Sequence, residues 1–199
     1  MNINFLNAKN LLPQQGKVFC FDDFLSSEMA VYYFSILEKE ILWAPDEIKM
    51  FGKTIYTKRL VAWYGEELLP YTYSKTTKYA QPWIQTLLSL KHEIETKTNE
   101  SFNACLLNYY PSGKEGMGWH SDDEKDIVED SAIASLSLGA ERKFVFKNKI
   151  SQEIVEVFLK NGSLLLMKNE IQKHWLHSLP KSAKISQPRI NLTFRKMLK

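Results

Sequence analysis

The chain has 199 residues, 44% of them hydrophobic and 25% charged, with a formal net charge of +3. That length suits one compact domain with an N-terminal elaboration, and the two cysteines, Cys20 and Cys105, lie far apart without disulfide or zinc-like spacing. Residues 1–15 carry no cationic stretch leading into an apolar one, and no apolar run approaches the roughly 20 residues that span a bilayer, so the expectation is a cytoplasmic monomer with no membrane partner.

In chain order, Ser26 or Ser27 with Glu28 behind it predicts a helix start, and Met29, Tyr32, Tyr33, Ile36 and Leu37 recur at helical spacing to about Ile41. Lys49 to Lys78 is polar and aromatic, with Lys49, Lys53, Lys58 and Arg59 clustered around Phe51 and Tyr56, and it is the least globular stretch of the chain. The mild positive charge permits nucleic-acid binding without demanding it. A second helix is predicted from about Pro82 to Thr98, with Pro82 in its first turn and Trp83, Leu87, Leu88 and Ile94 as its apolar stripe.

From Asn103 the signal is almost all strand. Asn103 to Tyr110, Ala132 to Leu138, Lys143 to Lys147, Ile154 to Leu159, Ser163 to Met167, Trp175 to Ser178 and Arg189 to Phe194 are short β-prone runs, and Asn161-Gly162 predicts a type I′ hairpin between two of them. The fold class expected is α+β. A double-stranded β-helix, or jelly roll, at about 101–199 is braced by helices and a recognition lid in about 1–100, all within one domain, 1–199.

Two constellations carry chemistry. On a strand, His120 and Asp122 project to the same side and can grip one ion, and a later His completes two imidazoles and a carboxylate, the ligand set of non-haem Fe(II) oxygenases. That later His is His174 or His177; three apart on a strand they face opposite ways, and the residues alone leave the choice open. On the last strand Arg189, Asn191, Thr193 and Arg195 share one face, while Ile190, Leu192 and Phe194 share the other. Two Arg framing Asn and Thr suit a carboxylate ligand, because a guanidinium matches carboxylate geometry in a bidentate way.

The stretches Asn108-Tyr109-Tyr110, His120 to Glu124 (HSDDE), Ser135 to Phe146 (SLSLGAERKFVF), His174 to Pro180 (HWLHSLP) and Pro188 to Arg195 (PRINLTFR) resemble the AlkB family of Fe(II)- and 2-oxoglutarate-dependent dioxygenases. The resemblance covers about half the chain. It implies His120, Asp122 and His177 as iron ligands, with Asn108, Tyr110, Arg189, Thr193 and Arg195 holding 2-oxoglutarate; Asn191 lies on the same strand face. It further implies an oxidative demethylase of alkylated DNA, with O2 as co-reactant and RNA or a protein side chain as alternative substrates. A catalytically silent nucleic-acid-binding module is the reading from another class, and the full set of ligands and clamp residues speaks against it.

For substrate contacts the resemblance is weaker. Met50-Phe51-Gly52-Lys53 is similar to a finger inserted where a base is flipped out, and Tyr71-Thr72-Tyr73 to a lid. Asp123 could accept a hydrogen bond from the exocyclic amino group of a damaged base, and Lys58 and Arg59 could meet phosphates. Trp119 and His92 read as packing and helix-surface residues.

Overall fold

Alternating side chains put one apolar face on most of the strands, and the chain buries those faces by stacking two sheets and two helices. A computed structural model describes residues 8–50, 53–66, 69–73 and 76–198, for 48–50, 53–55, 70–73 and 76–78 the backbone alone. The strands are β1 (Lys17–Phe21), β2 (Ala44–Met50), β3 (Lys53–Gly65), β4 (Pro70–Tyr73), β5 (Thr76–Tyr79), β6 (Gln81–Pro82), β7 (Ala104–Tyr110), β8 (Met117–His120), β9 (Ile133–Gly139), β10 (Arg142–Asn148), β11 (Ile154–Leu159), β12 (Leu164–Lys168), β13 (Trp175–Leu179) and β14 (Arg189–Arg195). The helices are α1 (Ser27–Glu40), α2 (Gln85–Thr98) and the single turn α3 (Ile171–His174).

The larger sheet runs β1-β12-β9-β14-β7-β3-β2 with β6 beside β3; the smaller runs β11-β10-β13-β8, and β4 and β5 pair apart from both. This is the expected jelly roll. One core lies under the helices, where Leu37, Leu87, Leu90 and Ile94 meet Leu107, Leu136, Ile190, Leu192 and Phe194 on the outer face of the larger sheet. A second joins the sheets at one end, with Val18, Ile133, Leu165 and Met167 facing Phe146, Val157, Leu159 and Trp175. The strands β1, β2 and β3 extend the larger sheet, so the N-terminal half contributes strands as well as bracing helices. No helix among the described residues is long and apolar enough to cross a membrane.

Several local expectations change. The helix α1 starts as predicted, with Ser26 Oγ accepting from Met29 N at 3.2 Å, but it docks through Ala30 and Leu37, leaving Met29 and Tyr32 41% and 55% exposed. Ala30 sits against the turn at Gly162, where a Cβ added to the glycine would lie 3.2 Å from Ala30 Cβ. The second helix begins at Gln85; Pro82 lies in the two-residue strand β6 beside the end of β3, and Leu90 replaces Leu88 on the buried face. Asn161-Gly162 makes no hairpin, because β11 pairs with β10 and β12 with β1 and β9, so the turn carries the chain from one sheet to the other. Gly162 has φ +81, Asn161 is not in that region, and Ser163 N closes the turn on Lys160 O at 3.1 Å.

A residue outside the expected site holds one end of the roll together. Arg142, 1% exposed, donates to the carbonyl oxygens of Ser112 (3.3 Å), Glu115 (2.8 Å) and Pro180 (2.9 Å). Replacing it by Met removes the donors of all three acceptors, and Arg142→Met is expected to lower the unfolding free energy by roughly 2–4 kcal/mol in urea titration. A change within about 0.5 kcal/mol, the scatter of neutral surface substitutions, would contradict this role.

Candidate metal and cosubstrate site

His120 and His177 are register partners across β8 and β13, with ring centroids 4.3 Å apart. The next pair is Met117 with Leu179, so Gly118 and Trp119 together oppose Ser178, a β-bulge. In a regular strand residues 117 and 120 would face opposite ways; the bulge turns both Met117 and His120 into the same cavity. Trp119 stays 45% exposed, with Lys147 Nζ 5.2 Å from its ring centroid.

The strand ends at His120, so the expected same-strand pairing with Asp122 does not apply. Asp122 lies in the loop beyond, where its N–H donates to Gln172 Oε1 at 2.9 Å and its Oδ1 accepts from Arg195 Nη2 at 2.7 Å. His120 Nδ1 lies 2.8 Å from Gly118 O, which fixes the proton there and frees Nε2. His120, Asp122 and His177 each bring a ligand atom within 4.8 Å of the other two. His174 is outside this group, on α3, with Nε2 3.8 Å from Glu170.

The electrostatics suit a divalent ion. Burial pushes the His177 imidazole down to about 3; Asp122 pulls it up, and His120, Arg195 and Lys149 add to the depression. Burial alone would raise the Asp122 carboxyl, but Arg195 and then the two imidazoles hold it below the usual carboxylate range. A neutral imidazole and an ionised carboxylate are the protonation states that metal ligation requires.

The triad opens into a cavity of about 410 Å³ between the sheets, lined also by Asn108, Tyr110, Arg189, Asn191, Thr193 and Arg195. Strand register explains the gathering: Arg189 sits beside Tyr110 and Asn191 beside Asn108, while Ile190, Leu192 and Phe194 face the helices. Arg189 is 2% exposed, donates to Ser137 Oγ at 2.8 Å and stacks 5.5 Å from the Tyr110 ring centroid. Its Nε has no partner, and no carboxylate among the described residues pairs with it. Burial pushes its pKa down to about 10, with Tyr110 pulling up and Arg142 down. A buried cation without a counter-charge is costly, and an anion in the cavity would compensate it.

The other clamp positions differ in what they offer. Arg195 is occupied by Asp122 and, at 3.4 Å, by Glu124. Asn108 accepts from Arg59 Nη1 at 3.0 Å, leaving its amide N–H groups for the cavity. Asn191 donates to Ser135 Oγ (2.8 Å) and Leu136 O (3.1 Å) and accepts from Thr193, so it stiffens the wall rather than presenting a free donor.

The profile of the 2OG-Fe(II) oxygenase superfamily matches residues 17–195. The human DNA oxidative demethylase ALKBH2 is 40% identical over 176 residues, which are 83% of this chain and 67% of that protein. The chain belongs to the AlkB family of 2OG-Fe(II) oxygenases. The bovine ALKBH2 is also 40% identical over 176 residues, 83% of this chain and 63% of its own length, and the mouse alkB homolog 3 is 38% identical over 190 residues, 90% of this chain and 66% of its own. The chain thus spans about two thirds of the length of these relatives. The solved structure of OsALKBH1 shares the fold with a TM-score of 0.66 at 16% identity, over 93% of this chain and 98% of that one.

The family is one of oxygenases that use Fe(II) with 2-oxoglutarate, and His120, Asp122 and His177 could hold an iron ion. The donor set described above fits that ion.

The expected substrate contacts fare unevenly. Arg59 is corrected: it is 5% exposed, paired with Asp46 and bonded to Asn108, so it lines the cavity and is out of reach of a phosphate on the protein surface. Asp123 is exposed at the rim, accepting from Ser121 Oγ at 2.9 Å. Phe51 and Gly52 lie outside the described residues, as do the side chains of Lys53, Tyr71 and Tyr73. Residues not expected among the ligands or the clamp also enter the site. Ser135 and Ser137 alternate with Ala134, Leu136 and Leu138, a polar face legible in the sequence; Gln172 and Met117 had no such signal.

Proposed function

We propose that this AlkB-family protein removes N-methyl groups from alkylated bases in DNA, 1-methyladenine and 3-methylcytosine among them. The observation that carries the reading is the meeting, in one cavity, of a metal-ready triad and an arginine without a counter-ion. His120, Asp122 and His177 would hold Fe(II), and Arg189, Tyr110, Asn108, Thr193 and Arg195 would seat 2-oxoglutarate beside it, with Asn191 stiffening the strand. An iron ion held there would supply the coupling of oxidative decarboxylation of 2-oxoglutarate by O2, yielding succinate and CO2, to hydroxylation of a C–H bond.

The chain's own part is placement. Arg189 neutralises one carboxylate end of the cosubstrate, Arg195 keeps Asp122 ionised, and the buried apolar walls at Val61, Trp63 and Leu179 exclude water. An N-methyl group hydroxylated in this cavity leaves a hemiaminal, which breaks its C–N bond to release formaldehyde and the unmodified base. Asp123 at the rim and Tyr71 and Tyr73 in β4 are assigned to grip the extruded base, and Phe51, Gly52 and Lys53 to fill the gap it leaves. The reading takes 1–199 as one domain, monomeric and cytoplasmic. The names of the relatives, DNA oxidative demethylase among them, favour DNA over RNA or a protein side chain.

The test is turnover of methylated DNA, methylated RNA and methylated peptide with Fe(II), 2-oxoglutarate and O2, read as formaldehyde and as loss of the methyl mass. Faster turnover of DNA supports the proposal; no formaldehyde from any alkylated nucleic acid ends it. For the finger, Phe51→Ala is expected to slow repair of duplex at least about tenfold while leaving single strands within about twofold, since only a duplex leaves a gap to fill. Equal losses on both substrates would remove Phe51 from that role.

A further inference from the structure

Asp122 stands two residues beyond β8's last paired residue, where no neighbouring strand is available to accept its N–H. The acceptor is the side-chain oxygen of Gln172, 2.9 Å away on α3, and α3 runs directly into β13, which carries His177. One amide side chain therefore ties the loop holding one ligand to the element holding another. Its orientation is unambiguous, because a backbone N–H needs an acceptor; the amide nitrogen makes only a weak 3.9 Å contact with Met167 Sδ.

A second strap closes over the first. Lys149, just past the end of β10, donates through Nζ to Gln172 O at 2.8 Å and to Ser121 Oγ at 3.3 Å, and Ser121 is the residue between His120 and Asp122. Arg195 grips the carboxylate from the opposite side at Oδ1, which leaves Oδ2 directed toward His177 Nε2, 4.0 Å away. Backbone and carboxylate of Asp122 are thus fixed by different partners, and the backbone partner belongs to neither the metal set nor the cosubstrate clamp.

We propose that Gln172, locked by Lys149, is a positioning residue that sets the separation of the Asp122 and His177 ligands before the metal arrives. The inference rests on the reading of these residues as the metal site. Second partners of this kind typically shift metal affinity by about 10–100-fold when removed.

The experiment is titration of the full chain with Co(II), without substrate, following the visible absorption bands that report cobalt geometry. Gln172→Leu is expected to bind Co(II) about 10–100-fold more weakly, with altered bands, and Gln172→Glu, which keeps an acceptor facing Asp122 N, to restore both. Lys149→Met, which leaves the amide bond in place, is expected to weaken Co(II) binding several-fold and gives a second measurement should Gln172→Leu fail to fold. Urea titration of the metal-free forms separates ligand positioning from general loosening. Wild-type Co(II) affinity and bands in Gln172→Leu and Lys149→Met overturn the proposal, as does a loss in Gln172→Leu that Gln172→Glu does not repair. Wild-type protein that binds no Co(II) removes the metal-site reading and this inference with it; wild-type protein that binds Co(II) but demethylates no base removes only the substrate reading.

Discussion

Arg189→Met is expected to make the protein harder to unfold in the absence of 2-oxoglutarate and, in the same molecule, to abolish useful binding of it. The two signs come from one fact. Arg189 is buried with a single neutral hydrogen bond to Ser137, an aromatic face beside it and no carboxylate partner among the described residues, and burial has already lowered its pKa to about 10. Replacing a poorly compensated buried charge by an apolar side chain of similar length is neutral or stabilising by about 1–4 kcal/mol. Removing one partner of a buried ionic contact to a ligand costs about 2–5 kcal/mol, or a loss of roughly 30- to several-thousand-fold in affinity. Urea unfolding with and without 2-oxoglutarate reads both: the wild type should gain stability from the keto acid and the variant should not. A variant less stable than wild type without ligand would show that Arg189 is an ordinary structural cation. Arg189→Lys is not a mild control, since a point charge cannot reproduce the bidentate fork.

Asp122→Ala is expected to fail in the opposite way, losing turnover by at least about a thousandfold and losing stability as well. Its carboxylate is the partner of Arg195 at 2.7 Å, with both side chains almost fully buried. Breaking a buried pair from one side costs about 3–5 kcal/mol, and the nearby Glu124, 3.4 Å from Arg195 Nη1, should keep the loss toward the lower figure. The double variant Asp122→Ala with Arg195→Met should recover much of that stability and none of the activity. Metal-free urea titrations and single-turnover assays decide the matter. A single variant as stable as wild type without metal would mean that the pair does not hold the loop.

The same residues separate what patterning in the sequence reveals from what it hides. The strand face Arg189-Asn191-Thr193-Arg195 was legible because a period of two has one phase once Ile190, Leu192 and Phe194 claim the core. The choice of His177 over His174 was not legible from spacing, because a helical turn interrupts the strand before Trp175 and no periodicity announces it. The start of α1 is legible, and Tyr33 and Leu37 of its expected stripe do pack on the core, while Ala30 faces the Gly162 turn and Met29 and Tyr32 lie toward solvent. Arg59 looked like a surface cation because its neighbours are lysines; its partner Asp46 is on a strand that the sequence did not suggest. Gln172 and Arg142 bond mainly to backbone groups, contacts that leave no pattern in residue types.

The bulge in β8 makes chain length at that point a determinant of activity. Deleting Gly118 or Trp119 would leave the histidine, the aspartate and every clamp residue in the chain, and would even tidy the pairing of Met117 and His120 against Leu179 and His177. Yet it would bring residues three apart down to two, pull on the short segment from Pro111 to Gly116 that Arg142 anchors, and shift the loop behind His120 out of step with Gln172. Homologues that vary freely in the surrounding turns should therefore keep the count of residues between Met117 and Asp122 constant, a constraint on spacing that no substitution scan would uncover.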